Sequence, residues 1–148
     1  MRKLKDEIII NRAVEDVFRA ALEVEKYSEF IPGYKENILS RDDKGEMTVK
    51  RTAEVGGKIM TWKSKFSYDE AGKSLYFEQI EGRLKGMKIF WNLKAEGQDK
   101  TRLEIIHVID LKIPVIGGLV EKFAVAPKVN ALTRTVLESF KRKMEGVL

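Results

Sequence analysis

The amino-acid sequence predicts an α+β protein in which an antiparallel sheet packs against one long C-terminal helix. Roughly eighty residues of strand-like alternation end near Lys112, and apolar residues then recur at steps of three or four from Pro114 to Leu148. The strand segments are joined by short turns rich in Asp, Gly and Lys, which leave no room for the crossover helices of a parallel sheet. With 148 residues, the chain is expected to form a single domain, residues 1–148.

The chain begins with a predicted strand, Leu4 to Ile10, followed by two short helices. Helical spacing of apolar residues runs from Ala13 to Leu22, with Asn11 as a candidate N-cap. A second helix is expected around Glu25 to Phe30. It should end before Pro32, because proline disfavours the helical conformation in the residue that precedes it.

Six further strands are expected to form a meander, which gives the sheet about seven strands in total. Alternation predicts which side chains point inward, although in the fourth of these strands both the Phe77 face and the Tyr76 face stay open. The predicted strands are Tyr34–Arg41, Glu46–Val55, Lys58–Tyr68, Ser74–Glu81, Met87–Ala95 and Thr101–Lys112.

The last hairpin has a preferred register. A three-residue loop at 98–100 would place Trp91 opposite His107 and Ile89 opposite Ile109. This register puts nearly all apolar side chains on one face, whereas a slip of one residue would mix the two faces.

The C-terminal helix contains Pro127, which lacks an amide donor and crowds the preceding turn. We therefore expect either a kink at Pro127 or a short helix, Val115 to Val125, followed by a longer one that starts near the proline.

Composition excludes several classes of site. There is no cysteine and only one histidine, so neither a disulfide nor a metal site or other cofactor is expected. No apolar run is long enough to span a membrane and no signal peptide is visible, which predicts a cytoplasmic protein. The serine-nucleophile and phosphate-binding glycine motifs are also missing from the sequence, so no catalytic residue is assigned.

Most of the net charge of +5 lies in the helical segment, where residues 111–148 carry seven basic and three acidic residues, a balance of +4. A basic outer helix face could contact ribosomal RNA or an anionic membrane surface, or simply be solvated. Exposed aromatic residues are not interleaved with these charges, so DNA is not an expected partner.

Two polar residues fall on predicted inward faces. His107 would offer a polar contact or a proton inside a cavity, or would be a core histidine bonded to a neighbour. Arg51 could hold a ligand carbonyl or carboxylate through its fork of donors. Its alternatives are an ion pair with a carboxylate such as Glu78 or Glu81, or a position near an open rim.

Aromatic residues on the inward faces could line a pocket or fill a core, and periodicity alone does not distinguish the two. Leu119 and Phe123 of the helix would face the same region. The candidate cavity-lining residues are Arg51, Trp62, Phe66, Phe77, Trp91, His107, Leu119 and Phe123.

Two stretches resemble a known family. Residues 17–41 resemble the opening of START-like (helix-grip, Bet v 1-like) proteins of the coenzyme Q-binding, polyketide cyclase and lipid transport family. Residues 82–93 are similar to that family's run from a glycine to a tryptophan, although Arg83 and Leu84 stand where the family commonly has proline and phenylalanine. The residues that carry the resemblance are Val24, Glu25, Tyr27, Phe30 and Pro32 in the first stretch, and Gly82, Leu84, Met87, Trp91 and Leu93 in the second.

This resemblance implies a helix-grip fold, in which a curved antiparallel sheet wraps the C-terminal helix and leaves a hydrophobic cavity. It also implies a hydrophobic small molecule as the partner, such as a quinone, a lipid or a polyketide-like compound. We expect non-catalytic binding or transport of that molecule. The alternatives are a polyketide cyclase or dehydratase, and a ribosome-associated interaction protein that uses the basic helix. Enzymatic activity is thus left open, with a non-catalytic role favoured.

Overall fold

A computed structural model describes residues 2–44, 46–55, 57–110 and 118–146 of the chain. Within these ranges the side chains of residues 36, 37, 39, 55 and 118–125 are not described.

The sheet contains seven strands, and neighbours along the chain are hydrogen-bonded antiparallel partners, apart from β1, which pairs with β7. The spatial order is therefore β1-β7-β6-β5-β4-β3-β2. The sheet curls into a half-barrel around a long C-terminal helix, so the predicted α+β helix-grip fold is confirmed. The strands are β1 Arg2–Ile10, β2 Lys35–Arg41, β3 Met47–Val55, β4 Lys58–Asp69, β5 Ser74–Glu81, β6 Lys88–Gly97 and β7 Lys100–Ile109.

The inward faces follow the predicted alternation. On β5 the buried side chains include Leu75, Phe77 and Gln79, which settles the face that the sequence left open. Tyr76, on the opposite face, is only partly buried. Burial raises its pKa to about 12, with a further contribution from its hydrogen bond to Glu78.

The predicted register of the last hairpin is wrong by two residues. Ile89 pairs with His107 and Trp91 pairs with Ile105, because Gly97 pairs with Lys100 and a bulge interrupts the ladder beside it. The hairpin therefore closes with a shorter loop than predicted. A shift of two residues keeps every side chain on its predicted face, since strand side chains alternate with a period of two.

Two short helices lie between β1 and β2. The first is α1, Val14–Leu22, and a 3-10 helix, Val24–Glu29, follows it. Asn11 does not cap α1: the N-cap is Ala13, and no side chain bonds the free amides there. The backbone amide of Asn11 instead donates to Glu145 at the end of the C-terminal helix.

The C-terminal helix, α2, is one helix from Gly118 to Met144 with Pro127 inside it. The predicted division into two helices is therefore not found among residues 118–144. The proline ring is exposed, and proline removes only its own amide donor from the helix. No helix in the described ranges is long and apolar enough to cross a membrane.

The C-terminal half of α2 is tied to β1. The Arg134 guanidinium donates to the Asp6 carboxylate and to the backbone oxygen of Glu7. The Lys141 ammonium donates to the backbone oxygen of Ile9 at 2.7 Å. These bonds fix where the rest of the helix crosses the sheet.

Candidate functional site: an internal cavity

A cavity of about 390 Å³ lies between the inner face of the sheet and α2. Strands β3 to β7, Tyr34 just before β2, the loop after β5 and the helix all contribute to its wall. Much of the wall is apolar, and it includes Trp62, Phe77, Ile89, Trp91, Leu132 and Val136.

The structure brings five of the eight candidate residues to this cavity: Arg51, Trp62, Phe77, Trp91 and His107. They come from five different strands, β3 to β7, so the curl of the sheet is what gathers them.

The other three candidate residues, Phe66, Leu119 and Phe123, are not among the described residues that line the cavity. Phe66 points inward but does not line the cavity in the described part of the chain. Its ring packs instead on Phe77, at 4.9 Å between centroids, and on Tyr68, at 6.2 Å, in the filled part of the core. The side chains of Leu119 and Phe123 lie outside the described residues.

The helical part of the wall runs from Lys128 to Val136 and was not assigned from sequence. Leu132 and Val136 belong to the apolar stripe of the helix, so the periodicity contained a signal for them. Gln79 was missed because the inward face of β5 was undecided.

One end of the cavity rests on an aromatic cluster. Trp91 stacks on Tyr27 with ring centroids 5.8 Å apart and planes 8° from parallel. Phe140 meets both rings edge-on, at 5.3 Å and 5.4 Å. The hydroxyl of Tyr27 donates to the backbone oxygen of Ala21 at 2.5 Å, which satisfies its polar end. Because these rings hold one another, the cavity wall is preorganised.

Arg51 is 7% exposed and lies among aromatic rings. Its guanidinium carbon is 5.3 Å from the Tyr27 centroid, 5.2 Å from Tyr34 and 5.3 Å from Phe77. Such cation–π contacts offset part of the cost of burying the charge.

The two carboxylates considered as ion-pair partners of Arg51 are engaged elsewhere. Glu78 accepts a hydrogen bond from Tyr76, and Glu81 pairs with Lys63 at 3.0 Å. The guanidinium brings a buried positive charge to the cavity wall.

His107 is 8% exposed and lies between Leu4 of β1 and Ile89 of β6. Burial lowers its pKa to about 4, because a charged imidazolium would lose its hydration there. At neutral pH the ring is uncharged, with one nitrogen that donates and one that accepts. Its Nδ1 is buried and forms no hydrogen bond with any described residue, which argues against a fully bonded core histidine.

The loop between β5 and β6 closes against the cavity wall. Gly82 has φ +128°, and a Cβ built on it would lie 2.3 Å from the Gln79 side-chain nitrogen and 2.9 Å from Cβ of Trp62. Both neighbours line the cavity. Glycine is therefore required at 82 for conformation and for space, whereas Gly86 has φ +94° and open space around it.

Solved structures share this fold. The Zhui aromatase/cyclase from Streptomyces sp. R1128 superposes with a TM-score of 0.87 at 18% identity, over 97% of this chain and 93% of its own. A START superfamily protein from Mycobacterium smegmatis superposes with a TM-score of 0.79 at 17% identity, over 99% of each chain. TTHA0849 from Thermus thermophilus superposes with a TM-score of 0.76 at 22% identity, over 94% of this chain and 97% of its own. At these identities the likeness shows the fold alone.

Among curated protein sequences, none matches this chain. The family model described as polyketide cyclase/dehydrase and lipid transport matches residues 10–141, which include all the strands except most of β1, and nearly all of α2. The resemblance seen in the sequence is thereby confirmed, and the chain belongs to the polyketide cyclase/dehydrase and lipid transport family.

Proposed function

We propose that this protein binds a hydrophobic small molecule in the cavity between sheet and helix and carries it without changing it chemically. The observation that supports this most is the cavity itself, about 390 Å³, with a wall that includes Trp62, Phe77 and Trp91. Ligand pockets typically measure about 300–1,000 Å³ and are mostly apolar with a few placed polar groups. Burial of an apolar ligand there would contribute about 25 cal/mol for each Å² removed from water.

Arg51 and His107 supply the polar groups of this proposal. The guanidinium can donate to a carbonyl or carboxylate oxygen, and the neutral imidazole can donate or accept. A quinone, a lipid and a polyketide-like compound all carry oxygen atoms that such groups would orient. Coenzyme Q is one such ligand.

The test uses the purified protein. Native mass spectrometry and organic extraction should detect a retained apolar compound. A short-chain ubiquinone analogue or a fatty acid should raise the melting temperature, because a ligand at 100 times its Kd stabilises the folded state by about 2.7 kcal/mol. An empty protein whose melting temperature neither probe changes would contradict the proposal.

A second candidate function is a cyclase or dehydratase that acts on a polyketide-like chain. It is favoured by the family and by the presence of Arg51 and His107 in one cavity. Arg51 would polarise a carbonyl and His107 would move a proton. Replacing either by Ala should then abolish turnover of a polyketide surrogate while the protein stays folded. A wild-type protein that turns over no surrogate would count against this role.

Contact of α2 with a ribosome or a membrane is a weaker proposal. Arg134 is paired with Asp6 and Lys141 with Glu145, so part of the helix charge is balanced within the molecule. If such contact exists, cofractionation should be strongest at low salt and fall steeply as salt rises. A cytoplasmic location stays a prediction as well.

A further inference from the structure

The charges on the cavity wall are of one sign. The described residues that line it include four cations, Arg51, Lys58, Arg83 and Lys128, and no aspartate or glutamate. The chain as a whole has 28 basic and 23 acidic residues, so an average wall with four cations would also hold carboxylates. A cavity that binds only neutral compounds has no need for this bias.

Three of these cations lie where the cavity opens to solvent. Lys58 is the first residue of β4, Arg83 lies in the loop after β5, and Lys128 lies on α2. Lys58 and Arg83 are exposed and Lys128 is half-buried, whereas Arg51 is deep in the wall. We call Lys58, Arg83 and Lys128 the cationic mouth.

Within the described ranges, neither Lys58 nor Lys128 is in an ion pair. Other lysines of the same sheet do have such partners: Lys5 pairs with Glu104 and Lys63 with Glu81, both at 3.0 Å. Lys58 and Lys128 are thus available to an external anion. An anion bound there would be attracted by several charges at once and would reduce the repulsion between them.

We propose that the ligand is an amphiphile with one terminal anionic group, a carboxylate or a phosphate, which binds at the cationic mouth. Its apolar part fills the cavity beyond the mouth, against Trp62 and Leu132. This inference rests on the proposed binding function and specifies the ligand class. Charge-assisted hydrogen bonds from lysine and arginine to carboxylate or phosphate are stronger than neutral ones, so the mouth selects the anion over a neutral compound of the same length.

The test compares three ligands that share a twelve-carbon chain: dodecanoate, dodecyl phosphate and dodecanol. Each is titrated into the purified protein at pH 7.5, below its micellar concentration, by isothermal calorimetry. At least one of the two anions should bind about tenfold or more tightly than the alcohol, and its affinity should fall as salt rises. The better of the two identifies the head group as carboxylate or phosphate.

A matched pair of variants locates the effect. Lys58→Gln with Lys128→Gln should weaken anion binding about tenfold, as expected for two partly exposed charges, and leave dodecanol within twofold. The control, Lys65→Gln with Arg142→Gln, removes the same charge from the same two elements at exposed positions outside the cavity wall. It should leave all three affinities within twofold.

Two results would overturn the inference in different ways. In the first, dodecanol binds as tightly as both anions, or the Lys58→Gln, Lys128→Gln protein and its control weaken anion binding equally. The cavity then binds ligands, but the cationic mouth does not select them. If none of the three compounds binds, this inference fails; the proposed binding function fails with it only if a short-chain ubiquinone analogue also leaves the melting temperature unchanged.

Discussion

The histidine in the cavity wall should make the stability of the protein depend on pH in a predictable window. In the unfolded chain His107 binds a proton near pH 6.5, whereas in the folded protein its pKa is lowered to about 4. Between these values the unfolded state holds more protons, so the free energy of unfolding falls as the pH is lowered through the window. A depression from 6.5 to about 4 corresponds to about 3 kcal/mol at about 1.4 kcal/mol per pH unit.

The assay is urea unfolding followed by tryptophan fluorescence at pH 7.5, 6.5, 5.5 and 4.5, for the wild type and for His107→Gln. The unfolding free energy of the wild type minus that of His107→Gln should be constant above about pH 7. It should fall by up to about 3 kcal/mol as the pH approaches 4.

Titration of carboxyl groups does not affect this comparison. Hydrogen bonds lower the pKa of Glu104 and of Glu145, and their stabilising contribution is present above the ordinary carboxyl pKa and lost as pH falls through the lowered one. Both groups are present in the two proteins, so they cancel in the difference. A difference that stays the same from pH 7.5 to pH 4.5 would refute a buried, neutral His107.

Two further substitutions test the packing around the cavity. Phe140 is 0% exposed, so Phe140→Ala should lower the free energy of unfolding by about 3–5 kcal/mol, whereas Phe90→Ala, at a position 36% exposed, should cost less than about 1 kcal/mol in the same denaturation assay. Equal losses of unfolding free energy in the two variants would contradict the conclusion that Phe140 packs in a buried aromatic cluster. Gly82→Ala should lower the melting temperature and weaken probe binding by pushing on Trp62, whereas Gly86→Ala meets only the strain of a positive φ. If the two glycine variants lose equal affinity for the probe, the loop does not shape the cavity.

The faces of the strands could be predicted from sequence because side chains alternate with a fixed period. His107 and Trp91 were placed on the inward face in spite of a register that was wrong by two residues, since an even shift leaves the faces unchanged. The length of the hairpin loop could not be predicted. It depends on a bulge beside Gly97, for which the local sequence gave no clear signal.

Which inward-facing residues line the cavity and which pack in the filled core also could not be predicted from the sequence. Phe66 and Phe77 have the same alternation and face each other across β4 and β5, yet only Phe77 lines the cavity. The difference depends on which elements cover each part of the sheet. The position of α2 is set by long-range bonds such as Arg134 to Asp6, which no local pattern contains. The periodicity of α2 therefore indicates that Leu132 faces the sheet, but not that it lines the cavity.

The most direct test of the account is to obstruct the cavity and measure binding of an apolar probe. Leu132 lines the cavity and Ala131, its neighbour on α2, is exposed. Leu132→Trp should therefore place an indole ring in the cavity, while Ala131→Trp adds the same ring to the outside of the same helix. Binding of a fluorescent fatty acid should fall at least about tenfold in Leu132→Trp and stay within twofold in Ala131→Trp, with both proteins folded by circular dichroism. Undiminished binding by a folded Leu132→Trp would contradict the claim that the ligand lies between the sheet and α2.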